Sequence, residues 1–326
     1  MLLEQGDELI AAGKPSHLEE AYQSFGWQVK WVDPTNIENF ERALSPQSKA
    51  ILVDSLAGSG TIVTDMAAIA AIAKKARVPF IVDNTFATPY LTRPIEHGAD
   101  IVLHAATKFL AGHEGLTGGI IIDAGTFPWQ NDPRFPILSK PQPDYGDVVF
   151  ADIFGNFAFA AACRIHGLAE FGPALSALNA TSVLTGLETL ALRMERHSKN
   201  ALRVAEHLAS HRAMSAVTYP GLPADATHAL AQIYFPRGTG ALLSCRLAGG
   251  YHAARAFVQN LKLFSALEDL GDTRSRASHP ASMTHRHLSD SEKDAVGAVP
   301  DLVRLSIGLE DIDDILADLD QALAAV

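Results

Sequence analysis

Residues 78–123, VPFIVDNTFATPYLTRPIEHGADIVLHAATKFLAGHEGLTGGIIID, leave few arrangements open to the chain. The apolar runs at 80–82 and 100–103 predict buried strands. Each delivers polar residues at its C-terminal end: Asp83, Asn84 and Thr85 after the first, His104 and then Thr107 and Lys108 after the second. A third run, 119–123, follows a turn containing Gly112, Gly115, Gly118 and Gly119. Upstream, strands are expected at 6–10, 27–32 and 50–53. Helices are expected at 17–25 (Ser16 as N-cap, Gly26 as stop), at 36–44 (capped from Thr35) and over the alanine-rich 65–76. Strands and helices alternating at this length predict a parallel sheet with helices on both faces. Ligands of such sheets sit beyond the carboxyl ends of the strands, where Asp83 and Lys108 fall.

The character changes at 124–150, where five prolines exclude a helix or a central strand and predict an ordered loop wrapped over a surface. Helices are then expected at 158–167 and, with Gly186 inside it, over the long span 173–208. Strands at 213–219, 240–247 and 264–267, a helix at 252–260 and an amphipathic helix at 312–325 complete the pattern. The expected organisation is a large α/β domain over 1–190 and a smaller α+β domain over 191–326.

Composition narrows the function. A charge of −11, from 26 Lys and Arg against 37 Asp and Glu, argues against a nucleic-acid or anionic-membrane surface. No apolar run of about 18 residues is free of charge. The start, MLLEQGDELIAAG, has neither the basic nor the long apolar segment of a signal peptide. Cys163 and Cys245 lie in apolar surroundings without a CxxC spacing, as reduced packing cysteines of a cytoplasmic protein do. His104 and His113 lack the neighbours a metal site requires, so no metal is expected.

A lone lysine in a turn is ordinarily a solvated charge, and a lone aspartate a turn cap. The spacing of Lys108 from Asp83, both at the ends of buried strands, gives the pair a chemical reading. A pyridoxal 5′-phosphate (PLP) site needs a lysine to carry the cofactor as a Schiff base and a carboxylate to keep the pyridine nitrogen protonated. Thr107 could hydrogen-bond a phosphate oxygen or merely its own backbone, and Thr85 is a further candidate cofactor contact. Arg304, between Val303 and Leu305, reads either as an ordinary ion pair or as a clamp on a substrate carboxylate.

Four blocks carry a family resemblance: VDNTFATPYL (82–91), GADIVLHAATKFLAGH (98–113), HPASMTH (279–285) and VRLSIGLED (303–311). With them the chain resembles the PLP-dependent Cys/Met-metabolism enzymes across essentially its whole length. The proline-rich 135–160 and LTGLETLALRMERH (184–197) resemble the O-acetylhomoserine sulfhydrylase branch most. The resemblance implies an aspartate-aminotransferase-like fold of type I. It implies that Lys108 carries PLP and shuttles protons, that Asp83 pairs with the ring nitrogen, that Thr107 binds the phosphate, and that Ser282 and Arg304 hold the substrate carboxylate. The implied reaction is γ-replacement: sulfide or a thiol displaces acetate from O-acetyl-L-homoserine, in a homotetramer built as a dimer of dimers. The sequence departs from the family at Ala105, where a hydroxyl residue is expected, and at Gly58-Ser59, where Asn-Pro is expected. It has no recognisable Tyr-Gly-Gly between Gly6 and Phe25, and it starts downstream of the family's Ser-Gly-Met phosphate turn and Tyr-x-Arg. Two other readings stay open here. One is a non-catalytic paralogue serving as an assembly or regulatory subunit; the other is a methionine γ-lyase or cystathionine γ-synthase.

Overall fold

The computed structural model describes residues 2–13, 22–57 and 61–326. The first sheet is built from β1 (Glu8–Ala12), β2 (Gln28–Val32), β3 (Ser48–Asp54), β5 (Phe80–Asp83), β6 (Ile101–Ala105) and β7 (Gly119–Asp123), in the order β2-β1-β3-β5-β6-β7. A two-residue strand, β4 (Ile62–Val63), stands apart from it. Every pairing is parallel except β6 with β7, so the sheet is mostly parallel, as expected of the large domain, with one antiparallel edge. The Gly-rich turn returns the chain beside β6 with no crossover helix, and that forces the antiparallel edge. Ile10, Ile51, Val53, Phe80 and Val82 from the strands pack with Met66 and Ile69 of helix Met66–Ala76 in one core. Asp65 caps that helix by accepting from the Ala68 N–H.

The second sheet contains β8 (Met214–Thr218), β9 (Leu242–Leu247), β10 (Ser265–Ala266), β11 (Arg276–Ser278) and β12 (Leu302–Ser306), ordered β10-β11-β12-β9-β8. Its core joins Leu243, Cys245, Val303 and Leu305 to Ile315 and Leu319 of helix Ile312–Leu323. Helix Leu190–Ala209 bridges the two cores: Leu190 and Met194 pack in the first, Ala201, Val204 and Leu208 in the second.

Three local expectations change. Helix Glu38–Ala43 is not capped from Thr35, which turns its N–H and hydroxyl onto Asp33; its N-cap is Ile37, whose side chain has no polar atom to offer. The helix expected at 158–167 runs through Ala158–Ala162 and continues as a π-helical segment over Cys163–Glu170. The long helix over 173–208 is two helices, Ala177–Glu188 and Leu190–Ala209. They part at Thr189 because the Gly186 carbonyl accepts from the Thr189 N–H and hydroxyl and from Arg193 Nη2, leaving the Leu190 N–H without its usual acceptor. Most of the helix expected at 17–25, and Gly58-Ser59, lie outside the described residues. The proline-rich stretch closes over a third apolar cluster in which Trp129 is fully buried against Phe127 and Phe135. Cys245 is buried, whereas Cys163 is half-buried.

Candidate active site

Asp83 is the last residue of β5, and its Oδ1 accepts the Thr85 N–H at 2.9 Å. Thr85 is buried, and its Oγ1 accepts the Ala105 N–H at 2.8 Å, tying the end of β5 to the end of β6. Asn84, fully buried, donates to the Thr88 and Thr92 carbonyls and accepts from Ser55. This fixes the loop after β5. Asp83, Thr85, Phe86 and Ala105 line a cavity of about 140 Å³ with Asp54, Ser55 and Leu56.

Asp54 stands at the end of β3 as Asp83 stands at the end of β5, and the two are paired in register. Asp54 opens onto the cleft but is surrounded by protein on its other sides. That surrounding and the charge of Asp83 push its carboxyl up to about 7. Tyr22 is near enough to feel both carboxylates, its phenol held above the ordinary value first by burial and then by the charges of Asp83 and Asp54. His104 is buried, its Nδ1 unpartnered among the described residues, and burial lowers its pKa against the opposing charge of Asp83.

Lys108 lies on the turn after β6. Arg193 fixes this turn from below, donating Nη1 to the Phe109 carbonyl at 2.7 Å and Nη2 to the Leu110 carbonyl at 3.3 Å. Gly186 lets helix Ala177–Glu188 approach the same backbone: a Cβ there would lie 2.4 Å from the Ala111 carbonyl oxygen. The Lys108 Nζ donates to the Asp269 carboxylate. Burial, and next the Arg276 guanidinium, lower the lysine's pKa. Gly271 (φ 100°) packs on Lys108 and Phe86; a Cβ there would lie 3.3 Å from Lys108 Cδ and 3.5 Å from Phe86 Cε1. Phe86 therefore joins the lysine to the carboxylate-lined cavity. The Thr107 side chain is half-buried and makes no hydrogen bond among the described residues.

Arg304 comes from the second sheet. On β12 it shares a face with Ser306, whose Oγ accepts the Gly271 N–H at 3.2 Å. The register pairs Arg304 with Ser278 and Ser244. Helix Leu190–Ala209 ties the end of this strand to the Lys108 turn: His197 Nδ1 donates to the Ile307 carbonyl, Asn200 donates to the Gly308 carbonyl, and Arg193 on the same helix holds the turn. Burial lowers the His197 pKa to about 4, so it is neutral there. Arg304 is half-buried, its pKa lowered to about 10 by burial, and it forms no ion pair or hydrogen bond among the described residues. A desolvated, unpaired guanidinium is a receptor for a carboxylate.

Ser282 does not join this group. Its hydroxyl meets His279 Nδ1 at 2.8 Å, and it lines a separate cavity of about 370 Å³ with Tyr251, Arg255 and Met283. Among the described residues it makes no hydrogen bond to Arg304 or Lys108, and the contacts of its hydroxyl do not bring it to Arg304. The turn after β11 lets residue 282 fold back on His279. Sequence reading missed Asp54, Asp269 and Arg276. Asp54 was within reach of the rule that found Asp83, since each closes an apolar strand; Asp269 and Arg276 acquire their meaning only from partners distant in sequence. A larger concavity, about 1240 Å³, is lined by Val78, Ala99 and Asp100. These lie at the start of the strands, the end of such a sheet where ligands do not bind.

The sequence profile of the Cys/Met metabolism PLP-dependent enzymes matches residues 1–324. The chain belongs to this family. It is 43% identical to the O-acetyl-L-homoserine sulfhydrylase of Leptospira meyeri, covering 99% of this chain and 76% of that protein. It is 40% identical to the homocysteine synthase of Schizosaccharomyces pombe, with 99% and 77% covered. A Campylobacter jejuni structure assigned as an O-acetylhomoserine (thiol)-lyase superposes with a TM-score of 0.93 at 34% identity, covering 99% of this chain and 78% of that one. That protein carries a pyridoxyl-lysine phosphate. The fold is that of the PLP-dependent type I enzymes, and the cofactor of the family is PLP. The residues suit it: a carboxylate pair at the cavity wall, a lysine on the following turn that meets Gly271 together with the cavity residue Phe86, and beside that lysine a threonine hydroxyl without a hydrogen bond among the described residues. No helix among the described residues is long and apolar enough to cross a membrane.

Proposed function

We propose that the chain catalyses γ-replacement on O-acetyl-L-homoserine, with sulfide or a thiol displacing acetate to give homocysteine or its thioether. The observation that carries this reading is that two cations meet the same loop: Gly271 packs on Lys108, on the turn after β6, and donates its N–H to Ser306, which shares a face of β12 with Arg304, an arginine without a partner among the described residues. The names of the relatives support the reaction class.

PLP bound at this site supplies the electron sink for release of the α- and β-protons and of acetate. Asp83 holds a proton on the ring nitrogen. Asp54 beside it carries a proton of its own near neutrality, which limits repulsion between the two carboxyls. Thr107 donates its hydroxyl to the phosphate, and the buried Thr85 keeps Asp83 and β6 in register. Lys108 moves protons at the substrate carbons; its lowered pKa increases the fraction of neutral amine available. Arg304 takes the α-carboxylate and so fixes which substrate bonds face the lysine.

We divide the chain at 190 and 191, where helix Leu190–Ala209 begins to link the two cores. We place the protein in the cytoplasm on its two free cysteines. A homo-oligomer, a dimer of dimers, is supported by exposed apolar side chains at Ile153, Phe157, Phe171, Leu178, Leu184 and Leu192, a surface of the kind that marks association. The test is an assay of the PLP-loaded protein with O-acetylhomoserine and sulfide. Homocysteine and acetate in equal amounts are expected; 2-oxobutyrate from methionine, with no replacement product, would assign a lyase instead.

A further inference from the structure

Asp269 lies on the loop between β10 and β11, its side chain 61% exposed, and receives the Lys108 Nζ. Its placement is set from beneath. Arg276, 1% exposed, donates Nη1 to the Asp269 carbonyl at 2.6 Å and Nη2 to the Asp272 carboxylate, and its Nη1 forms an ion pair with Glu114 Oε1 at 2.8 Å. One guanidinium therefore fastens the 269–272 loop to the turn that follows Lys108. Gly271 seals the contact by packing on the lysine stem while its N–H reaches Ser306. Arg274 braces the outside through Asp272 and Glu114. An exposed lysine–carboxylate pair contributes little when both side chains are free to wander. Here the carboxylate is carried on a clamped loop, and that preorganisation gives the contact directional force.

We propose that Asp269, held in place by Arg276, is a positioning residue for Lys108: it parks the amine as a paired ammonium and releases it when a carbonyl-bearing ligand enters the cleft. The proposal rests on the reading of Lys108 as the reacting amine. An ammonium has no lone pair to add to a carbonyl, so the contact sets both where the amine points and how readily it reacts. The charged groups that act on it are Asp269 from the loop, Arg276 from β11 and Glu114 from the following turn. Burial and then Arg276 act against the ammonium and Glu114 acts for it; the Asp269 carboxylate adds an opposite charge in direct contact.

The test is competitive labelling of the cofactor-free protein with acetic anhydride across pH. Acetylation of the Lys108 peptide is read by mass spectrometry against exposed Lys199. In D269N the midpoint of Lys108 labelling is expected to fall by about one pH unit, the low end of the range for losing an opposite charge at contact. R276K keeps the charge, but one ammonium cannot hold the Asp269 carbonyl, Asp272 and Glu114 together. It should shift the midpoint in the same direction, and the double variant should move no further than D269N alone. An unmoved midpoint in D269N, or full additivity of the two, overturns the proposal. If R276K does not fold, D269N decides alone, since its side chain is mostly exposed. Borohydride trapping of PLP on the wild-type protein is read separately: an adduct anywhere but Lys108 would remove the underlying reading, whereas an unmoved labelling midpoint would remove only the role of Asp269.

Discussion

Lys108 and Arg304 are both half-buried cations that flank the Gly271 loop, and the protein treats them oppositely. The Lys108 amine is engaged by Asp269, and its turn is bolted down by Arg193. Arg304 has no partner among the described residues, though burial has stripped it of solvent far enough to lower its pKa to about 10. A group that moves protons must be aimed, so it is held. A group that binds must keep its hydrogen bonds for the ligand, so it is left open. The difference separates the chemical end of the site from the recognition end, and each should fail in its own way.

The sharpest break is at the lysine. Lys108→Met should lower turnover roughly 10⁴-fold or more, the upper end of what a positioned proton-transfer group contributes, while the circular dichroism of the fold is unchanged. Arg304→Ala should instead act on binding. KM for O-acetylhomoserine should rise about 10- to 100-fold, as expected for one charge-assisted contact of about 1.5–3 kcal/mol. Its melting temperature should hold or rise, because no protein interaction is lost with it; a marked loss of stability would show that Arg304 is structural after all. Gly186→Ala strikes the support beneath the lysine end. A Cβ pressed against the Ala111 carbonyl should lower stability by about 1–3 kcal/mol, measured by urea unfolding, with KM changed less than in the arginine variant.

The smallest effect concerns the cavity wall. Asp54 has a pKa raised from 3.8 to about 7 in the folded chain, so between those values the folded state binds the extra proton and its stability falls as pH rises. Asp54→Asn should remove that slope, making the cofactor-free protein relatively more stable above pH 7 by about 1 kcal/mol or less once screening in the open cleft is allowed for. Thermal melts at pH 5 and pH 8 compare the two.

Much of the lysine end was legible because buried parallel strands read as unbroken apolar runs, and their C-terminal residues face the ligand by topology alone. Asp83, Thr107 and Lys108 follow from that rule, and Asp54 would have followed from applying it once more. The recognition end was less legible. Arg304 stood out as a charge between core residues, but Ser282 drew attention by its motif, while its hydroxyl is spent on His279 three residues away. Arg276 looks like any arginine in a short strand until Glu114, more than 160 positions earlier, meets it. The break at Thr189 was equally hidden, because a single Arg193 side chain takes the carbonyl that would have continued the helix. Local periodicity carries the elements; long-range capture of one polar atom does not show in it.

The most direct test of the division between the two cations is to incubate the protein with PLP, reduce with borohydride and map the adduct, for the wild type and Arg304→Ala side by side. The expected result is a single pyridoxyl adduct on Lys108 in both, with equal yield, because the arginine serves the substrate and not the capture of the cofactor. An adduct on another lysine, none at all in the wild type, or its loss in Arg304→Ala would contradict the account.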